Sequence, residues 1–225
     1  MNQLYDFLSG PGAWIAFGVF LVGLALRAAF LVGISRFADK VFWNHADAGW
    51  GLRSIGHWLL PLGSRSLRGQ PIFGAVVFLF HLCLLGVPVF LLAHNILLEE
   101  NLGFSFWAMP EALSDWLTVL ALACGLFLLV RRLARPEVRI LTTAWDYFLL
   151  LLTLAPFATG FLAYHQWGDY DLIMVLHLLS AEVLLVVIPF SKLAHVVLFF
   201  FSRFFIGSEM GARRQEDGRL GARVW

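Results

Sequence analysis

The chain has 225 residues and a formal net charge of +1 at pH 7, with 60% hydrophobic and 14% charged residues. Soluble globular domains contain about 45–50% apolar and about 25% charged residues, so this chain has more apolar surface than a soluble core of its size can bury. The composition excludes a nucleic-acid-binding protein, a disordered chain and a disulfide-stapled secreted module. It predicts an integral membrane protein.

Five apolar stretches are candidates to cross a hydrocarbon core of about 30 Å as helices. Their approximate bounds are 13–34, 72–96, 116–130, 147–164 and 172–205. The last stretch is too long for one perpendicular crossing, so we expect it to tilt or to extend beyond the membrane. No repeat, linker or second domain is visible. We therefore expect a single all-α membrane domain over residues 1–225, a bundle of five transmembrane helices.

The basic residues predict the orientation of this bundle. They lie in the loop between the first two stretches, in the loop between the third and fourth, and at the end of the fifth stretch and the tail. The members of these three groups are Arg36, Lys40, Arg53, Arg65 and Arg68; Arg131, Arg132, Arg135 and Arg139; and Lys192, Arg203, Arg213, Arg214, Arg219 and Arg223. By the positive-inside rule, the N-terminus is outside and the C-terminus is cytoplasmic.

Two connecting segments have a character of their own. Residues 50–62 read as an amphipathic helix that lies on the cytoplasmic surface of the membrane. Residues 104–116 are aromatic and acidic, and we expect them to cap the outer face. Cys83 and Cys124 lie in apolar stretches without a metal-binding or haem-attachment spacing, so we expect small core thiols.

Four histidines lie inside the predicted membrane stretches: His81 and His94 in the second, His177 and His195 in the fifth. Ionisable residues within a membrane are costly and are candidates for function, and neutral imidazole is a common ligand of haem iron. On one continuous helix, the 18 residues from His177 to His195 make five turns, which places both on one face about 27 Å apart. His81 and His94 would lie about 20 Å apart.

The direction of each stretch then pairs the histidines by depth. His81 and His195 would form the inner pair and His94 and His177 the outer pair, which predicts two bis-histidine haems stacked across the bilayer. An ideal helix rotates His94 by about 140° from the face of His81, so this pairing requires a distortion. Pro88 lies between the two and is expected to kink the helix. His165 is the alternative ligand if His94 points elsewhere.

Other polar residues in or near the stretches carry open alternatives. Arg27 could neutralise a haem propionate or extend to the inner interface, and Arg131 and Arg132 are further candidate propionate partners. Glu182 could accept quinol protons, hydrogen-bond a ligand or pair with Arg27. His165 could belong to a site for a quinone head group or an external cytochrome, or to an interfacial polar belt.

Several motifs around these histidines resemble a known family. The segments Leu176–His177–Leu178 and Ile188–Pro189–Phe190–Ser191–Lys192–Leu193–Ala194–His195 closely resemble the final helix of the membrane γ-subunit of respiratory nitrate reductase. The segments Arg131–Arg132–Leu133 and Arg135–Pro136–Glu137–Val138–Arg139–Ile140, and Phe80–His81 with Gly86, resemble the same family. The resemblance covers about residues 76–202, and the histidine-bearing segment is its most specific part.

The chain departs from that pattern at His94, which comes about one helical turn late, and in its longer inner loop. These features, with Ala163–Tyr164–His165–Gln166–Trp167, look more like the cytochrome b subunits of transmembrane redox complexes of sulfate-reducing bacteria, namely the high-molecular-weight cytochrome and tetrahaem cytochrome complexes.

The resemblance implies an electron-transfer subunit with two haem b groups in the bacterial inner membrane, in anaerobic respiration of the sulfate-reducing type. The implied partners are a periplasmic multihaem cytochrome c, a cytoplasmic iron–sulfur subunit resembling heterodisulfide reductase, and other membrane subunits. It leaves open whether the outer donor is menaquinol or a cytochrome, and thus whether menaquinone binds this chain.

A rival hypothesis is a haem-free transporter or proton-conducting subunit in which the histidines relay protons. The sequence shows neither inverted repeats nor paired broken helices, which are typical of secondary transporters. The depth-matched histidine pairs favour the cytochrome.

Overall fold

The computed structural model describes residues 2–61, 63 and 65–216, and helix makes up 86% of it, with no strand among the described residues. Leu62, Arg219 and Arg223, which belong to the predictions above, lie outside this part, as do the side chains of Arg65, Arg213 and Arg214. The helices are α1 (Asn2–Phe7), α2 (Ala13–Ala38), α3 (Lys40–Asn44), α4 (Ala48–Leu59), α5 (Arg65–Arg68), α6 (Pro71–Phe90), α7 (Leu92–Leu102), α8 (Glu111–Ala134), α9 (Pro136–Arg139), α10 (Ala144–Tyr164), α11 (Tyr170–Val187) and α12 (His195–Glu216). A π-helical turn, Leu8–Gly12, joins α1 to α2.

Six helical stretches in the described residues are long and apolar enough to cross a membrane. They are Gln3–Ala38, Pro71–Phe90, Glu111–Ala134, Ala144–Tyr164, Tyr170–Phe190 and Lys192–Gly211. The all-helical architecture predicted from composition is confirmed, and the chain has the character of a multi-pass membrane protein. The count of five differs from these six stretches, because the predicted fifth stretch is divided between two of them.

The predicted second stretch, 72–96, is wrong as one continuous helix. It is divided at Leu91, whose backbone is extended (φ −67°, ψ 133°), into α6 and α7. Pro88 remains inside α6, so the break comes three residues after the proline that was expected to kink the helix. Because α7 starts afresh after Leu91, the ideal-helix rotation calculated between His81 and His94 does not apply.

The predicted fifth stretch, 172–205, is also wrong as one helix. After α11 the chain forms two short 3-10 turns, Ile188–Phe190 and Lys192–Ala194, on either side of an extended Ser191. Pro189 has no backbone N–H to donate to the preceding turn of α11. Ser191 starts the second 3-10 turn, because its side chain accepts a hydrogen bond from the Leu193 amide at 3.2 Å. His177 and His195 therefore do not lie on one helical face, as the five-turn spacing assumed.

The described residues form two compact units, one from the ranges 1–13 and 75–184 and one from the ranges 14–74 and 185–225. In the first unit, α6, α8 and α10 pack around apolar side chains. Their fully buried members include Cys83, Val87, Met109, Ala121 and Phe157. Gly125 permits α8 to approach α10 closely, since a Cβ atom there would overlap the Leu154 side chain.

In the second unit, α4 packs antiparallel against α12 through small residues. A Cβ atom at Gly207 would overlap Ser54, and one at Gly211 would overlap the Trp50 side chain. Trp58, which is four residues after Ser54 on α4, lies against Arg203. The predicted amphipathic segment is thus a helix, Ala48–Leu59, but part of its surface is buried against the C-terminal helix.

Candidate functional site

The break between α6 and α7 orients His94. In a continuous helix, the carbonyl groups of residues 88–90 would accept hydrogen bonds from the backbone four residues later. Here other groups donate to all three: His94 Nδ1 to Pro88 at 2.8 Å, Asn95 Nδ2 to Val89 at 2.8 Å, and the Met109 amide to Phe90 at 2.8 Å. Since a membrane interior offers no water to unpaired carbonyls, these donors stabilise the break.

Asn95 links the two sides of the break to the loop that follows α7. Its side chain is 3% exposed, and its Nδ2 also donates to the Leu91 carbonyl at 3.0 Å. Its Oδ1 accepts a hydrogen bond from the Phe106 amide at 2.7 Å. The buried side-chain amide of Asn95, the residue after His94, therefore joins the helix break to the aromatic loop that follows α7.

His177 is held by α10. Its Nδ1 donates to the Pro156 carbonyl at 3.0 Å, and Thr159 Oγ1 lies 3.3 Å from the same nitrogen. Gly160 provides the space for the ring, because a Cβ atom there would lie 3.0 Å from His177 Cε1 and 3.2 Å from Nδ1. Gly160 leaves room for the His177 ring and the Pro156 carbonyl accepts its hydrogen bond, so the ring lies against the backbone of α10.

The rings of His94 and His177 lie close to each other in the first unit. Their centroids are 6.2 Å apart and their planes are inclined by 24°. Because each Nδ1 contacts a carbonyl group, which can only accept, each Nδ1 carries the proton and each Nε2 of the neutral ring carries the lone pair. A metal-bound histidine has this same arrangement, in which the second nitrogen donates to a backbone carbonyl.

The two rings are close to each other and each leaves its Nε2 lone pair free of the backbone hydrogen bond, so His94 and His177 are the residues of this site that could hold a haem iron. A group of three or more histidine, cysteine or acidic residues that could hold another type of metal centre is absent from the described part of the chain.

The other two predicted ligands lie in different units. His81 is half-buried in α6, in the first unit, with Nδ1 2.8 Å from the Val77 carbonyl. His195 is the first residue of α12, in the second unit, and its Nδ1 lies 3.0 Å from the Lys192 carbonyl. In both residues Nδ1 faces a backbone carbonyl, as it does in His94 and His177. The pairing of His81 with His195 stays a prediction.

His165, the alternative ligand, takes part in another interaction. Its Nε2 lies 3.0 Å from Asp115 Oδ1, and its ring contacts Phe161 and Trp167. Tyr164 donates to Glu111 Oε2 at 3.4 Å beside it. The start of α8 thus brings Asp115 to His165 and Glu111 to the neighbouring Tyr164. Nothing in the local sequence around His165 indicates these partners from α8.

The structure gives the other candidate residues local surroundings. Arg27 donates from Nη1 to the Pro189 carbonyl at 2.8 Å, a role in stabilising the second helix break that the sequence did not indicate. Glu182 lies opposite Gly12, where a Cβ atom would lie 3.0 Å from Oε2, and its buried Oε1 has no hydrogen-bond partner among the described residues. Arg131 and Arg132 lie half-buried in the last turn of α8.

Sequence reasoning missed the residues that position the histidines, namely Asn95, Pro156, Thr159 and Gly160. Asn95 follows His94 directly, and a buried asparagine in an apolar stretch is a signal that could have been used. Gly160 and Pro156 resemble ordinary membrane-helix residues, since glycine and proline are frequent there. Their partner lies on another helix, and nothing in the local sequence indicates it.

These features define a multi-pass helical membrane protein that brings two histidines together beside a broken helix. The chain is 42% identical over 226 residues to a protein of Nitratidesulfovibrio vulgaris (strain Hildenborough), and the match covers 99% of this chain and 100% of the relative. It belongs to one family with that relative. No family model matches the chain.

Proposed function

We propose that this chain is a b-type cytochrome subunit of a membrane redox complex. It carries electrons across the bacterial inner membrane between an outer donor, a quinol or a multihaem cytochrome c, and a cytoplasmic iron–sulfur subunit. His94 and His177 would hold the outer haem, and the assignment of His81 and His195 to an inner haem rests on the sequence pattern alone. The juxtaposition of His94 and His177, with their Nδ1 atoms on backbone carbonyls, is the observation that carries the proposal.

The haem supplies one-electron chemistry when bound, and two axial imidazoles leave its iron no open position for oxygen. The protein's own residues set the geometry of that site. The Pro88 and Pro156 carbonyls fix the protonated nitrogen and the orientation of each ring, and they increase the electron density of the ligating nitrogen. Gly160 keeps space for the His177 ring.

Contacts within the second unit support five crossings rather than six. Pro189 lies against Gly23 and Arg27 in the middle of α2, whereas Phe205 stacks on Phe42 of α3, which follows α2. The chain from Pro189 into α12 therefore runs in the same direction as α2. The C-terminal helix would then extend beyond the bilayer beside α4, with the C-terminus on the cytoplasmic side.

The proposed partners rest on the resemblance of the sequence to the cytochrome b subunits of redox complexes in sulfate-reducing bacteria. The relative in Nitratidesulfovibrio comes from a sulfate reducer, which agrees with that resemblance. Menaquinol would be oxidised near His165 or Glu182 if this chain itself binds the donor. If a cytochrome is the donor, no quinone chemistry takes place here.

One structural observation favours the rival function as a transporter, and another argues against it. Within the described residues two apolar helical stretches are broken, at Leu91 and at Ser191, a feature that the sequence does not predict. Transporters use the open carbonyls of such breaks to coordinate ions. At the first break, however, the carbonyls of residues 88–90 accept hydrogen bonds from His94, Asn95 and Met109.

A reduced-minus-oxidised absorption spectrum of the purified chain, produced in a haem-replete host, tests the proposal. A b-type α-band that persists through purification is expected. Folded protein without any haem absorbance would exclude electron transfer through this chain and would favour the transporter.

A further inference from the structure

A second cluster, remote in sequence from the proposed haem ligands, lies between α4 and α12. The guanidinium carbon of Arg203 lies 3.9 Å from the centroid of the Trp58 ring. The Arg203 Nε atom is buried, and no described residue accepts a hydrogen bond from it or forms an ion pair with the side chain. Arg203 lies in an apolar helical stretch, Lys192–Gly211, where an arginine is costly unless it has a partner.

The small-residue packing of α4 on α12 fixes this arrangement. Ser54 is 1% exposed against Gly207, and Trp58 and Arg203 follow one helical turn away on the two antiparallel helices. Stacking covers one face of the guanidinium and leaves its terminal N–H groups to bind an acceptor. Such a planar fork suits two oxygens of one anion, and phosphate is a preferred partner.

The surroundings favour a lipid as the source of that phosphate. Leu59 and Leu60 follow Trp58 directly in sequence and are 51% and 61% exposed. Exposed leucines next in sequence to a tryptophan that stacks on a cation suit a molecule that has both acyl chains and an anionic head group. Amphipathic helices at a membrane surface bind anionic lipids by this combination.

We propose that Arg203, stacked on Trp58, binds the phosphate of an anionic phospholipid whose acyl chains cover the exposed leucines of α4. The site is independent of haem binding and of the proposed electron transfer. It assigns a ligand to an arginine that the sequence marked only as part of the positive-inside pattern.

Native mass spectrometry of the full chain in detergent tests this proposal, with phosphatidylglycerol or phosphatidylcholine of the same acyl chains added. We expect one tightly retained phosphatidylglycerol per chain, and a decrease in its affinity of about tenfold or more in Arg203→Gln, because a charge-assisted hydrogen bond is lost. Arg53→Gln is the matched control, since it removes an exposed arginine that lies 5.1 Å from the Trp50 ring on the same helix. This control is expected to retain the lipid.

An equal loss in both variants, or equal retention of both lipids by the wild type, would overturn the proposal. If Arg203→Gln fails to fold, Arg203→Lys and Trp58→Leu replace it, and both are expected to weaken binding of phosphatidylglycerol. Inorganic phosphate alone is the third probe. Binding of phosphate at the Arg203 site without a preference for phosphatidylglycerol would show a soluble anion as the ligand and would contradict the lipid assignment.

Discussion

The rings of His94 and His177 lie 6.2 Å apart, and both are held through Nδ1 by the carbonyl group of a proline, Pro88 for one and Pro156 for the other. Each proline lies inside a helix that is otherwise apolar. The Pro88 carbonyl lies at a helix break and accepts from a side chain instead of from the backbone. The break at Leu91, which interrupts the apolar helix, thus also orients the His94 ring.

Asn95 is predicted to stabilise the break on which this geometry depends. Asn95→Leu keeps the size of the side chain but removes the hydrogen-bond partners of the Val89 carbonyl and of the Phe106 amide, whereas the Leu91 carbonyl keeps the backbone amide of residue 95. We expect a loss of about 2–4 kcal/mol in stability, since each unsatisfied buried group costs about 1–3 kcal/mol. The thermal unfolding midpoint in detergent measures it.

Asn101→Leu is the matched control for that substitution. Asn101 lies on the same helix, is exposed, and donates one hydrogen bond to the Leu97 carbonyl. Its replacement is expected to leave the midpoint nearly unchanged. If the two variants unfold at the same temperature, the network around Asn95 does not hold the break.

Gly160 is predicted to be intolerant of even a methyl group. In Gly160→Ala the new Cβ atom would lie 3.0 Å from His177 Cε1, so the ring must shift. Overpacking of this kind costs about 1–3 kcal/mol, and a displaced ligand should also alter the haem absorption spectrum. Gly18→Ala, at a position with no heavy atom within 4 Å, is the control and should leave the spectrum intact. Identical spectra for the two variants would contradict the close approach at Gly160.

The sequence predicted the helical membrane character and three of the five stretches well, because a run of apolar residues is a local property. Residues 13–34, 116–130 and 147–164 lie within helices Ala13–Ala38, Glu111–Ala134 and Ala144–Tyr164. Hydropathy averaged over a whole stretch does not detect a break in a helix, and the residues directly around Leu91 are as apolar as their neighbours. The break at Leu91 depends on partners such as Asn95 and Met109, which lie up to 18 residues further along the chain.

The sequence pattern paired His94 with His177, and the structure brings these two rings close together, whereas their role as ligands stays a prediction. The ideal-helix calculation placed His94 on the wrong side of its helix. The new start of the helix after Leu91 removes that objection. The contact of α4 with α12 was missed although Gly207 and Gly211 have the four-residue spacing of closely packed membrane helices.

Gly207→Ala is predicted to separate α4 from α12. A Cβ atom there would overlap Ser54 Cβ and would lie 2.8 Å from the Trp50 carbonyl oxygen. We expect faster amide hydrogen exchange throughout α4. Gly56→Ala is the control, because nothing lies within 4 Å of that position and alanine favours the helix by about 1 kcal/mol. Unchanged exchange in Gly207→Ala would show that the two helices are not held by this contact.

A pyridine haemochrome assay on the wild type and on His94→Ala, His177→Ala and the double variant tests the central claim most directly. The account predicts two b haems per chain in the wild type and one in each of the three variants, because His94 and His177 serve the same iron. His45→Ala, which removes an exposed histidine that also contacts a backbone carbonyl, should retain both haems. Two haems in either single variant, or a further loss of haem in the double variant, would contradict the pairing of His94 with His177.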